Sequence, residues 1–157
     1  LPCQRGSFLF LHAGLDDQMA MLLAKKGTKT LNRQFKKQLK GSPSDFYYGP
    51  VANTIRTKYR SIDMPLSGKG ARHIHESGIT AIIHGHRNLH RGQRIALRKN
   101  LLHFECDVTL DQGSRKKEGL KGDGAGATII HPHGYILGIS TDFAKIKVFD
   151  PRVILAS

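Results

Sequence analysis

Apolar and polar positions alternate between short buried runs and charged, glycine-punctuated stretches. Residues 7–15, SFLFLHAGL, predict a buried strand that ends in a glycine turn, with His12 at its C-terminal end. The following LDDQMAMLLAKKG predicts a helix. Asp16 and Asp17 sit where the helix dipole favours acids, Met19, Leu22 and Leu23 share one face, and Gly27 marks the stop. Residues 28–40 predict a second helix with Leu31, Phe35 and Leu39 on an apolar stripe and the lysines on a solvated face. Residues 41–70 form a loop-rich insert: GSPSDFYYGP is a loop, residues 51–60 are a short helix with Arg56 and Arg60 on one face, and a second loop follows. A short helix over 71–77, ended by Gly78, leads into a buried strand over 79–83, and Gly85 turns the chain.

The remainder predicts strands over 94–97, 101–110, 127–131 and 134–140. Within 101–110, Leu102, Phe104, Cys106 and Val108 alternate with His103, Glu105, Asp107 and Thr109, the period of a half-buried strand. The stretch DQGSRKKEGLKGDGAG reads as an irregular glycine-rich loop without the spacing of a nucleotide-binding loop. Helices first and mostly antiparallel strands afterwards imply a layered α/β or α+β domain.

Composition narrows the function class. At 157 residues the chain fits a single domain, and 39% hydrophobic residues with a mean hydropathy of -0.35 belong to a globular protein. No apolar run is long enough for a membrane span, and LPCQRGSFLF lacks the pattern of a secretory signal. Cys3 and Cys106 form no ligand spacing or disulfide framework; they are expected as small buried hydrophobes in a reduced, cytoplasmic setting. The formal charge of +13 is spread over many basic segments. It favours polyanionic partners: nucleic acid, phosphorylated small molecules or anionic lipid.

The chemistry concentrates on histidines at strand ends. His12 follows FLFL and His86 follows AIIHG, each at the C-terminal end of an apolar run beside a glycine or an alanine–glycine turn. In layered α/β folds that edge receives ligands, and imidazole is a common ligand of Zn, Mn or Fe. Spacing alone leaves two readings open: a pair of metal ligands, or two polar strand termini.

LHAGL and IIHGH resemble the last two sequence blocks of the calcineurin-like metallophosphoesterases, the superfamily of the Ser/Thr protein phosphatases and the diadenosine-tetraphosphatase-like enzymes. The resemblance extends from about residue 7 to 140. It implies the C-terminal half of a layered αββα sandwich, so that residues 1–157 form one partial domain. It also implies that His12 and His86 bind a metal of a centre with two divalent ions (Mn, Fe, Zn or Mg). Many members carry a further ligand histidine two residues on; here Asn88 stands there, as in the protein-phosphatase-like branch. His84 is not a ligand position in the pattern and is expected at the pocket edge or as a polar strand end. Arg56, Arg60, Arg87 and Asn88 are the implied phosphate contacts, and His90 is expected on the surface.

The family's earlier blocks, Asp-x-His, Gly-Asp-x-x-Asp and Gly-Asn-His, supply the bridging carboxylate and the general-acid histidine. Six residues precede Ser7, so these groups are expected in a missing N-terminal half of the same protein, and the isolated chain is expected to be inactive. The implied substrates are a phosphoprotein, a phosphomonoester or a dinucleoside polyphosphate. The alternatives are a basic nucleic-acid-binding module and a non-catalytic docking module.

Overall fold

The computed structural model describes residues 2–57 and 65–150. Their element order is β1 (Cys3–Arg5), β2 (Phe8–Phe10), α1 (Asp17–Leu39), α2 (Pro43–Tyr48), a 3-10 turn (Pro50–Ala52), α3 (Asn53–Arg56), α4 (Gly68–Glu76) and β3 (Ala81–His84). β4 (Arg94–Arg98), β5 (Leu101–Glu105), α5 (Gln112–Lys117), β6 (Gly126–Ile130), β7 (Ile136–Ser140) and β8 (Phe143–Phe149) follow. The protein is therefore mixed α/β, with most helices preceding most strands. A five-stranded sheet has the order β1-β2-β3-β5-β4, and a three-stranded sheet the order β6-β7-β8. The contacts divide the chain into two compact units, residues 1–87 with 96–103 and residues 88–95 with 104–157.

In the first unit, β2 pairs in parallel with β3, with Leu9 opposite Ile82, and β1 pairs antiparallel along β2. Leu9, Leu11 and Ile82 join Met19, Leu23, Leu31 and Phe35 of α1 and Ile74 of α4 in one core. Removing such side chains from water is the main stabilising term.

Asp16 caps α1 by accepting from the Met19 amide at 2.8 Å. Gly27 breaks the helix with φ 66 and ψ 170, a conformation that costs glycine little. The helix is therefore kinked into two arms at that point. Leu31 and Phe35 are buried as the apolar stripe requires, whereas Leu39 is 56% exposed. Lys99 and Asn100 both have positive φ in the two-residue turn between β4 and β5, as a type I′ hairpin turn demands.

The second unit holds the β6-β7-β8 meander, antiparallel throughout, with an irregularity between Gly138 and Ser140. Arg115 of α5 is its most unusual core residue, 1% exposed. Its guanidinium donates to the carbonyls of Gly122, Thr109, His90 and Lys121, so one buried cation gathers the glycine-rich turn.

Several local expectations are corrected. The first part of the expected 111–126 loop is helical, because Asp111 caps α5 through the amides of Gly113 and Ser114. β5 ends at Glu105, and its period-two pattern fails. His103, Phe104 and Glu105 are all buried, as in a strand covered on both faces. Cys3 is exposed rather than buried. No helix among the described residues is long and apolar enough to cross a membrane.

A histidine pair at the ends of two parallel strands

The parallel pairing of β2 and β3 continues past both strands. The Leu11 amide donates to the Ile83 carbonyl at 2.9 Å, and the Gly85 amide donates to the His12 carbonyl at 3.0 Å. His12 and His86 thus leave the sheet side by side at its carboxyl edge, where parallel strands present ligand-binding groups. His12 Nε2 lies 3.2 Å from His86 Nδ1, and the ring centroids are 5.0 Å apart. His86 has φ 65, a left-handed conformation that costs a non-glycine residue about 1 kcal/mol. Strain of this kind concentrates at functional sites.

This separation suits a shared ion. Two imidazole nitrogens at about 2.1 Å from one tetrahedral Zn2+ stand roughly 3.4 Å apart. A metal-free pair instead shares one proton between a donor and an acceptor nitrogen. Among the described residues, no group of three or more His, Cys, Asp or Glu converges as a metal site.

Arg56 is held close to the His12 turn through the backbone. Ala13 donates to the Thr54 carbonyl at 3.1 Å, and Asp16 Oδ2 accepts from Asn53 Nδ2, tying α3 to the residues that follow His12. Arg56 Nε donates to Asn53 Oδ1 at 3.0 Å and Nη1 to the Tyr47 carbonyl at 2.7 Å. Its exposed guanidinium is oriented by neighbours rather than loose. α3 ends at Arg56, with Thr57 extended, and Arg60 lies outside the described residues. Arg87 follows His86 and is partly exposed. Asn88 belongs to the second unit, where its amide donates to Glu118 Oε1 at 2.6 Å, which turns this candidate phosphate contact toward a carboxylate.

His84 is 3% exposed, so it is neither a pocket rim nor a solvated strand end. Its Nε2 lies 3.2 Å from His103 Nδ1 on the neighbouring strand β5, with the rings edge to face at 5.3 Å. Burial, followed by the His84 and Arg98 charges, pulls the His103 pKa from the ordinary 6.5 down to about 3. His103 is consequently neutral at physiological pH. The alternation along 101–110 predicts His103 on the polar face of a half-buried strand, but the apolar flank LLHF equally suits a fully buried one, which is what the structure holds. His90 is exposed, as expected, and its Nδ1 accepts from the Lys121 amide.

No protein-family model matches the chain, and no curated protein matches it either.

Proposed function

We propose that this chain supplies part of the active centre of a metal-dependent phosphoesterase of the calcineurin-like kind. The observation that carries the reading is the 3.2 Å approach of His12 Nε2 and His86 Nδ1 at the carboxyl edge of two parallel strands. The order LHAGL then IIHGH, and the strained backbone at His86, support the same reading. The finer architecture belongs to this proposal: an αββα sandwich completed by a preceding segment that carries the bridging carboxylate and the general-acid histidine.

His12 and His86 would hold one of two divalent ions as neutral imidazoles. Such ions polarise a phosphoryl oxygen and strengthen water as a nucleophile at neutral pH. Arg56, fixed by Asn53 and Tyr47, offers a preoriented guanidinium to the phosphate oxygens on which charge grows. Arg87 is a second cation beside His86 in sequence. The substrate class is a phosphate ester: phosphoprotein, phosphomonoester or dinucleoside polyphosphate. The +13 charge would raise its local concentration.

Calorimetric titration with Zn2+ and with Mn2+ tests the proposal. The chain should take up ion weakly at one site that His86→Ala removes and that substitution of His133, an exposed histidine between β6 and β7, by Ala leaves intact. Hydrolysis of para-nitrophenyl phosphate by the 157-residue chain should be negligible, because two imidazoles without a carboxylate hold too little charge for a dinuclear centre. Metal binding indifferent to His12→Ala and His86→Ala would overturn the ligand assignment. Robust Mn-dependent turnover abolished by His86→Ala would overturn the incompleteness.

A further inference from the structure

The second arm of α1 concentrates positive charge to a degree that helix stability does not require. Residues 18–44 contain no Asp or Glu. Lys29, Arg33, Lys36, Lys37 and Lys40 are all exposed in this stretch. Lys29, Arg33 and Lys37 follow one another at i, i+4, as do Lys36 and Lys40, so the cations line a row about 16 Å long. Uncompensated like charges at this spacing destabilise a helix slightly. A polyanion laid along the row would reverse that cost.

Two neighbouring features indicate which polyanion. Phe35 and Phe46 meet edge to face at 5.3 Å, which docks α2 on α1 and leaves Tyr47 and Tyr48 outside, 61% and 77% exposed. Between the two arms of α1 lies a cavity of about 580 Å3, within the size range of small-ligand sites. Met21 and Leu22 line it from one arm, and Gln34, Lys37 and Gln38 from the other. Gln38 Oε1 is buried and accepts no hydrogen bond among the described residues. Lys37 belongs both to this cavity and to the cationic row, so a chain of phosphates on the row would pass the cavity mouth.

We propose that this face binds single-stranded nucleic acid, with phosphates on the cationic row, a base in the amide-lined cavity and further bases stacked on Tyr47 and Tyr48. Thioether and aliphatic side chains suit a flat ring, and glutamine amides suit its hydrogen-bonding edge. Exposed aromatics beside a basic track are the usual means of holding unpaired strands. A duplex offers no unstacked base to the cavity or the tyrosines. An anionic membrane fits less well, because α1 turns Leu23, Leu31 and Phe35 into the core and keeps no apolar stripe for a bilayer. The proposal does not rest on the phosphoesterase reading, although the two meet at Tyr47, whose ring lies 5.4 Å from the Arg56 guanidinium.

Fluorescence anisotropy with labelled oligouridylate and oligoadenylate of about twelve nucleotides tests it. With five cations engaged, log affinity should fall with log salt at a slope of about -3.5, a loss of about a hundredfold between 50 and 200 mM. Replacing Lys36, Lys37 and Lys40 together by Gln should reduce the slope by about 2. Tyr47→Ala and Tyr48→Ala should weaken binding at least fivefold with the slope unchanged, and Gln38→Leu should change the preference between the two oligonucleotides. These substitutions lie on the surface or in the cavity, and circular dichroism of each variant controls for folding. Equal affinity for a duplex of the same length, stronger retention on phosphatidylserine vesicles than on the oligonucleotides, or a salt slope unaltered in the triple variant would overturn the proposal.

Discussion

The imidazoles of His12 and His86 face each other across 3.2 Å although 74 positions separate them in the chain. Under the proposed function the two rings hold one ion together, so neither would retain it alone. We therefore predict that His12→Ala, His86→Ala and the double variant lose the same Zn2+ affinity, the strong non-additivity of a shared interaction. His12→Asp, which puts a carboxylate oxygen in place of the imidazole nitrogen, should hold more of the binding than His12→Ala. Calorimetry on the four variants gives the comparison, and additive losses would refute a common ion.

His86 occupies a left-handed backbone that suits glycine. His86→Gly should raise the stability of the chain by about 1 kcal/mol while removing metal binding, whereas His86→Val should lower it. Urea denaturation of both variants checks the opposite signs. Equal destabilisation by both would mean that the ring contact with His12, not the backbone, dominates there.

His103 titrates well below its ordinary range because it is buried beside His84 and Arg98. The unfolded chain takes up this proton more readily than the folded one. Stability from this group is complete above about pH 6.5 and is lost as pH falls toward 3, at up to about 1.4 kcal/mol per pH unit. His103→Gln, which cannot titrate, should flatten that acid limb. Denaturation midpoints measured across the same range decide it, and an unchanged slope would show that His103 does not govern acid sensitivity.

Arg115 should be the most sensitive position of the second unit. Arg115→Met leaves four carbonyls without their donor and should cost about 3 kcal/mol, with little recovery in Arg115→Lys, whose ammonium lacks the planar fork. Gly124→Ala should also destabilise, since φ is 71 and a Cβ would meet the Arg115 guanidinium. Guanidinium chloride denaturation followed by the NMR amide signal of Tyr135, between β6 and β7, reports on this unit. Loss below about 1 kcal/mol in Arg115→Met would refute the tying role.

The elements that carry the histidine pair were legible in the sequence, because parallel strands covered on both faces read as uninterrupted apolar runs. Gly27 was legible as a stop, and Asp16 as an acid at the helix start. β1 was not, since its three residues are all exposed and show no periodicity. β8 was missed because Ile146 and Val148 are 61% and 67% exposed, so its apolar residues do not mark a buried face. The burial of His84, the His103 partnership and the turn of Asn88 toward Glu118 are tertiary facts that no local pattern encodes. The proximity of His12 and His86 belongs to both worlds: each strand end was readable, but only the β2–β3 pairing brings the two ends together.

That pairing also orders events in time. Leu9 meets Ile82 only after the intervening chain, with α1 and α4, has closed on itself. Loop closure on that scale is entropically demanding and slows folding relative to the helices, which need only local contacts. The histidine pair thus comes into being with the long-range sheet and not before it. The approach of the two rings would act as a clock for that closure, recording sheet assembly separately from the earlier gain of helical signal.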